Sequence, residues 1–292
     1  MNVLSLFDGM GGARQALRNL RVNVGRYCAS EINGPSIAVA SHNFPDIFHL
    51  GDINSLDTAH LSCISWDLVI FGSPCIDLSV AKKNRQSLAG KSSSLFYRAV
   101  DILNALRPKY FLMENVASMT DESRAEITRL LGVEPVQLNS KHFTGQNRER
   151  LYWFNWKVSG RLPYPPCFAK HLLTEYQVSD LALSTEALIY MNRTSGSRNH
   201  WEFAHHSDTG ALFSACVVAN FKKGVPYNVL IDRRPQVPVA RHFHPIECER
   251  LQGFPDDYSA GVAKTHRFEM IGNAFTVDVI QFLLRPIVYG YI

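Results

Sequence analysis

Short apolar runs and amphipathic stretches take turns along the first half of this chain. Trp66-Asp67-Leu68-Val69-Ile70-Phe71 is apolar at nearly every position, the pattern of a strand buried on both faces. On this basis strands are predicted at residues 3–7, 26–30, 48–50, 66–71, 110–113, 134–138 and 151–156. Between them, apolar residues recur at helical spacing over 13–20, 35–43, 94–106 and 124–131. Strands separated by helices imply an α/β fold with a mostly parallel sheet covered on both faces.

The pattern breaks near Ser159. Pro163, Pro165 and Pro166 mark a boundary, and Pro226, Pro235 and Pro238 form a second cluster. Between them Asn, Arg, His and Ser mix with aromatic residues, without alternating strands and helices. Residues 159–239 are therefore expected to form a smaller irregular domain, set between two parts of the main domain, 1–158 and 240–292. Helical periodicity returns over 245–251 and 276–288.

A chain of 292 residues holds one large domain or a large and a small one, and a 46% hydrophobic fraction supplies a core. A formal net charge of +4 is compatible with an acidic partner such as nucleic acid but does not require one. The six cysteines include no Cys-x-x-Cys pair, so neither a zinc site nor a disulfide framework is expected. No window approaches the ~18 consecutive apolar residues of a membrane span. The opening run Met1-Asn2-Val3-Leu4-Ser5-Leu6 is too short for a signal peptide and lacks a basic leader. A cytoplasmic protein without an accessory domain is expected.

Candidate chemistry gathers where predicted strands end, the edge at which α/β folds place ligands. After the first strand, Phe7-Asp8-Gly9-Met10-Gly11-Gly12 is a turn whose glycines let backbone approach a ligand closely, although it is not Gly-x-Gly-x-x-Gly. Glu31 ends the second strand, where a carboxylate can hold ribose hydroxyls, and Asp52 follows the third, where it can accept from an adenine amino group. Each is otherwise a helix cap or a solvated charge. Gly72-Ser73-Pro74-Cys75 follows the fourth strand and offers a thiolate nucleophile, against the plainer alternative of an inert cysteine. Glu114-Asn115-Val116 follows the fifth and offers a carboxylate to the same cleft, or a cap to the next helix. In Gln146-Asn147-Arg148-Glu149-Arg150 the two arginines stand at i and i+2 of extended chain. They project to one side and can grip an anionic or carbonyl group, unless they face solvent. Ile271-Gly272-Asn273-Ala274 is read as opening the last helix, with Gly-Asn as its cap.

Taken in order with Glu249-Arg250-Leu251-Gln252-Gly253-Phe254-Pro255, these segments resemble the ordered motifs of the DNA cytosine-5 methyltransferases. The resemblance covers nearly the whole chain, with a divergent gap at about 159–239. Pro74-Cys75-Ile76-Asp77-Leu78-Ser79 departs from the Pro-Cys-Gln of bacterial restriction-modification members. It looks closer to the Pro-Cys-Asn-Asp-Leu-Ser of the animal de novo enzymes, while the compact chain resembles bacterial or phage proteins.

The resemblance implies a Rossmann-like S-adenosylmethionine-dependent methyltransferase fold with a small irregular target-recognition domain. It implies that Cys75 adds to carbon 6 of a flipped cytosine and that Glu114 hydrogen-bonds N3 and the exocyclic amine. Arg148 and Arg150 would hold the O2 side, with Arg148 the better candidate for direct contact. S-adenosylmethionine would be framed by Phe7, Asp8, Gly9, Met10, Gly11 and Gly12, with Glu31 on its ribose and Asp52 on its adenine. Ile32 and Ile53 would pack the adenine faces; Gly72, Pro74 and Leu95 would line the methionine end; Asn273 and Ala274 would close the pocket. No metal is implied. Double-stranded DNA is the implied partner, and a monomer the default, because flipping one base needs one subunit.

Residues 79–94 match the family's catalytic loop, with Ser79, Lys82, Lys83 and Arg85 as candidate DNA contacts. Asn192, Arg193, Arg198, Lys222 and Lys223 are the candidates in the gap region. Three alternatives remain open. One is transfer RNA as substrate, although the Cys-Phe-Thr of that subgroup is not visible. The others are a non-catalytic DNA-binding homologue and transfer of a different carbon group.

Overall fold

The first strand, β1 (Asn2–Leu6), lies in the interior of the main sheet, because the chain pairs new strands onto both of its edges. The computed structural model describes residues 1–74, 91–163, 174, 181–194, 214–220, 229–232 and 239–290. These fall into two compact units: Met1–Leu138 with Glu149–Gly160 and Val279–Ile292, and Asn139–Arg148 with Arg161–Asp278.

The first unit is built on a seven-stranded sheet. Beyond β1 its strands are β2 (Arg26–Ser30), β3 (Ile47–His49), β4 (Leu68–Phe71), β5 (Tyr110–Val116), β6 (Val136–Asn139) and β7 (Glu149–Phe154), in the order β3-β2-β1-β4-β5-β7-β6. The pairs β1–β2, β2–β3, β1–β4 and β4–β5 are parallel, and β7 runs antiparallel to β5. Leu68, Val69, Ile70 and Phe71 are wholly buried, as expected of a parallel strand covered on both faces. From β1 the order runs outward in one direction through β2 and β3 and in the other through β4 and β5. The β1/β4 boundary is therefore the topological switch point, where such sheets open a crevice at their carboxyl ends.

The helices of this unit are α1 (Gly12–Asn19), α2 (Gly34–Asn43), α3 (Thr58–Ser62), α4 (Lys91–Leu106) and α5 (Asp121–Leu131). Their starts follow side-chain chemistry. Asn33 caps α2 by accepting from the Ser36 amide, with Pro35 in the first turn. Thr120 caps α5, which begins earlier than its apolar period suggests because Asp121 and Glu122 favour a helix N-terminus. The chain's final helix contributes its later part here: the Trp156 indole donates to the Leu283 carbonyl at 2.9 Å.

One boundary shifts a candidate residue. β5 continues three residues beyond the predicted 110–113, so Glu114, Asn115 and Val116 lie within the strand rather than after it. Pairing with β7, in the register Glu114↔Tyr152, Asn115↔Leu151 and Val116↔Arg150, holds the polar Glu114 and Asn115 extended against their propensity.

The second unit contains α6 (Thr185–Thr194), the antiparallel pair β8 (Leu230–Asp232) and β9 (Val239–Arg241), α7 (Pro245–Leu251) and α8 (Lys264–Asn273), and it ends in the first turn of α9 (Val277–Tyr289). Compactness groups residues 139–148 and 240–278 with the stretch expected to stand alone at 159–239. Ile271, Gly272 and Asn273 close α8 instead of opening the last helix, which starts at Val277.

Candidate active site

The glycine turn follows β1 at the switch point and needs an unusual backbone. Gly9 and Gly11 have φ of 60° and 83°, and Phe7, which is not glycine, has φ of 58°. Left-handed backbone at a bulky residue is strained, and such strain collects at ligand sites. A Cβ added at Gly9 would meet nothing within 4 Å, so the backbone there faces open space. Glu31, directly after β2, holds the turn in shape. Its Oε2 accepts from the Gly9 amide at 2.8 Å, and its Oε1 accepts from the Ile32 and Asn33 amides, each at 2.8 Å. Three fixed donors leave acceptor capacity on a carboxylate that offers about four lone-pair sites.

Asp8 turns inward from the same turn and is buried. The Tyr27 hydroxyl donates to its Oδ1 at 2.6 Å. Burial pushes the Asp8 carboxyl up to about 6; the Ser5 and Tyr27 hydroxyls oppose that rise, and the neighbouring Glu31 charge adds to it. Tyr27 is not legible in the sequence as part of this site, since only the β1–β2 pairing brings it there.

The remaining cofactor candidates divide sharply. Ile32 is 74% exposed, an apolar side chain standing in solvent beside Glu31. Ile53, its expected partner on the other adenine face, is buried in the hydrophobic core, as is the Met10 side chain. Asp52 is exposed and caps the short helix Ile53–Ser55, its Oδ1 accepting from the Asn54 amide at 2.9 Å. Leu95 is half-buried against the core, and Gly72 and Pro74 are half-buried after β4.

That turn is tied to β5. Asn115 is buried, and its Nδ2 donates to Ser73 Oγ at 3.1 Å and toward the Ser73 carbonyl at 3.4 Å. Its Oδ1 accepts from the Val116 amide at 2.8 Å. Glu114, one residue before, pairs with Arg150 of β7, Nε to Oε1 at 3.0 Å. Cys75, the candidate nucleophile, lies outside the described residues, immediately after Pro74.

The two arginines do not share a partner. Arg148 is buried in the second unit, and its Nη atoms bind main chain: Nη1 donates to the Val217 carbonyl at 2.9 Å, and Nη2 to the Gly272 and Ala274 carbonyls at 3.1 Å each. Sequence ranks Arg148 first for direct base contact; the geometry sets Arg150 beside Glu114 and engages Arg148 with carbonyls. Gln146 and Gln252 complete this network. Gln146 Nε2 donates to the Leu251 carbonyl, Gln146 Oε1 accepts from the Val217 amide, and Gln252 Nε2 donates to the Ile271 carbonyl. Gly272 is glycine because backbone passes against it: an added Cβ would lie 2.3 Å from Ala219 N and Val218 C. Asn273 is exposed at the end of α8, and Ala274 is buried with its carbonyl bonded.

Residues 1–211 and 191–288 match the family model for C-5 cytosine-specific DNA methylases. The chain belongs to that family. Among its relatives, Type II methyltransferase M.HpaII of Haemophilus parainfluenzae is 28% identical over 95% of this chain and 86% of its own length. Orphan methyltransferase M.SPRI of Bacillus phage SPR is 32% identical over 52% of this chain and 37% of its own length. The fold is shared with the Entamoeba histolytica methyltransferase EhMeth, at a TM-score of 0.80 and 15% identity over the full chain and 98% of that structure.

The C-5 cytosine-specific DNA methylase family and this fold are S-adenosylmethionine-dependent in general. The residues present fit that cofactor: an open glycine backbone at Gly9, a preset carboxylate at Glu31 and an uncovered apolar side chain at Ile32. Among the described residues no group of three or more His, Cys, Asp or Glu is placed to hold a metal ion, and no single helix is long and apolar enough to cross a membrane. Of the candidate DNA contacts, Ser79, Lys82, Lys83, Arg85, Arg198, Lys222 and Lys223 fall outside the described residues. Asn192 and Arg193 lie on the last turn of α6.

Proposed function

We propose that this C-5 cytosine-specific DNA methylase transfers a methyl group from S-adenosylmethionine to carbon 5 of a cytosine flipped out of duplex DNA, through a covalent bond between Cys75 and carbon 6. The observation that carries this reading is the carboxyl edge of β4 and β5. There the ion-paired Glu114 stands one residue from Asn115, which holds the turn leading into Cys75.

Carbon 5 of cytosine is a poor nucleophile. Addition of the Cys75 thiolate to carbon 6 places electron density on carbon 5, provided that N3 is met by a proton. Glu114 in its acid form supplies that hydrogen bond. Arg150, against Glu114, meets the negative charge left on the carboxylate when the proton passes to N3. S-adenosylmethionine, held by the turn at residues 7–12 with Glu31, Asp52 and Ile32, supplies an electrophilic methyl carbon when bound. Loss of the carbon 5 proton then re-forms the ring double bond and releases the Cys75 thiolate. Arg150 is the better-placed arginine for the O2 side. Arg148 acts by shaping the Gly272–Ala274 backbone, which carries Asn273.

Unstacking the target base costs roughly a few kcal/mol, offset by contacts to the strand. Ser79, Lys82, Lys83 and Arg85 from the catalytic loop, with Asn192, Arg193, Arg198, Lys222 and Lys223 from the region 159–239, are the proposed DNA contacts, acting in a monomer. Incubation with unmodified genomic DNA and S-adenosylmethionine, followed by nucleoside mass spectrometry, tests the reading. One added methyl on cytosine supports it. A different added mass, or methylation of transfer RNA without duplex DNA, overturns it.

A further inference from the structure

The side chain of Asp8, buried beneath the cofactor turn, takes no part in the bond-making steps just described. Asp8 is 4% exposed, and of its two oxygens only Oδ1 has a firm partner, the Tyr27 hydroxyl at 2.6 Å. Oδ2 is buried without a hydrogen bond of normal geometry. The groups facing it are the Ser5 hydroxyl on β1, the Tyr27 hydroxyl on β2 and the Glu31 carboxyl after β2. His49 of β3 stands beyond Glu31, and burial holds its imidazole below the usual histidine range. Among the described residues, the charged group acting on Asp8 is the acidic Glu31.

A buried carboxyl that also feels the charge of a second, Glu31, forms a site short of positive charge among the described residues. Asp8 and Glu31 are joined through the turn itself, since Asp8 immediately precedes Gly9, whose amide binds Glu31. A ligand bringing a cation to this turn relieves both burial and repulsion. The two ligands a methyltransferase must tell apart differ in this property. The donor carries a sulfonium cation, and after transfer the product carries a neutral thioether.

We propose that Asp8 is a specificity determinant of the cofactor pocket, whose buried negative charge favours the sulfonium donor over the thioether product. The proposal rests on the S-adenosylmethionine reading above. By proton linkage, donor binding favours the ionised carboxyl and product binding does not. Preference for the donor thus grows as pH rises through the range in which Asp8 loses its proton.

The test is calorimetric titration of the ligand-free protein with S-adenosylmethionine, S-adenosylhomocysteine and sinefungin, in which an ammonium replaces the sulfonium, between about pH 5 and about pH 7. All three keep their α-ammonium charged over that window, so it cancels. In the wild-type protein the ratio of product Kd to donor Kd should rise about threefold to tenfold across the window. Sinefungin should follow the donor. In Asp8→Asn the ratio should stay flat. Tyr27→Phe keeps the carboxyl but removes its donor, and should move the rise to higher pH; this arm holds even where Asp8→Asn fails to fold. A flat wild-type ratio, an unchanged slope in Asp8→Asn, or sinefungin following the thioether would overturn the proposal. Binding of none of the three ligands would overturn the cofactor reading, and this proposal with it.

Discussion

Arg150 and Glu114 are diagonal neighbours across the antiparallel pair β5–β7: Glu114 stands opposite Tyr152, two residues from Arg150, and the side chains meet at 3.0 Å with exposures of 13% for Glu114 and 15% for Arg150. Arg148, two residues earlier, is bound to three main-chain carbonyls. The two arginines should therefore fail differently. Arg150→Ala leaves the largely buried Glu114 carboxylate without its partner and should cost about 1–2 kcal/mol of stability while lowering turnover by about a hundredfold or more. Arg148→Ala removes the guanidinium donors from three buried carbonyls, of which Ala274 and Val217 keep only the longer bonds from Gln252 and Cys216, and should cost about 3 kcal/mol or more. Urea denaturation beside steady-state kinetics separates the two outcomes; equal stability losses would refute the division of roles.

Asn115 ties β5 to the Ser73 turn, so Asn115→Ala should reduce the methyl-transfer step more than donor binding. Asn115→Asp should be worse, because it sets a carboxylate against the Ser73 carbonyl. Single-turnover rates measured with donor Kd decide this: a loss confined to Kd would show that the turn is not held through Asn115.

Much of this fold is legible in the amino-acid sequence alone. β2 and α7 fall where predicted, the one because it is apolar and buried, the other because Pro245 opens it and Leu251 ends its apolar period. α3 has only Leu61 buried, so its five residues carry no period; the signal available is Asp57, whose carboxylate caps it. α8 is hidden because Ile271-Gly272-Asn273 looks like a helix start. Yet the glycine is required by the passing backbone of residues 218 and 219, a contact invisible in one dimension. For the same reason the motif around Arg148 announces two useful arginines but not which one meets a carboxylate. A side chain bonded to main-chain carbonyls leaves no trace in the identity of its partners.

Gly272→Ala should destabilise the protein by about 3 kcal/mol, since its Cβ would overlap backbone that cannot give way. Gly34→Ala, at a site with open space around the added methyl, should be neutral or stabilising by up to about 1 kcal/mol. Thermal denaturation of both variants checks the contrast; similar melting shifts would rule out the close approach as the reason for Gly272.

The Asp8 carboxyl also links stability to pH in the ligand-free protein. Its folded value near 6 lies above its unfolded value, so the contribution is full below the unfolded value and is lost as pH rises through about 6. Asp8→Asn should gain on the wild type by about 1 kcal/mol between about pH 5 and about pH 8. Denaturant midpoints at both pH values measure it, and a gap that narrows as pH rises would contradict the sign.

Cys75→Ala should abolish methyl transfer while leaving donor and DNA binding intact, and Glu114→Gln should slow transfer by about a hundredfold with DNA binding retained. Retained turnover in the first variant would exclude the covalent route. Parent-rate methylation in the second would remove Glu114 as the N3 partner.

On the proposed DNA-contacting role of residues 159–239, the network around Arg148 also bears on redesigning which sequence is methylated. Residues 214–219 are keyed to distant parts of the chain: the Ser214 amide donates to the Gly145 carbonyl, Val217 is bonded at both its amide and its carbonyl, and Gly272 fits against Val218. A graft from a relative with another specificity that replaces these residues imports backbone cut to a different lock. The seam of a working chimera belongs upstream of Ser214, so that the host keeps its own residues from there to Ala219.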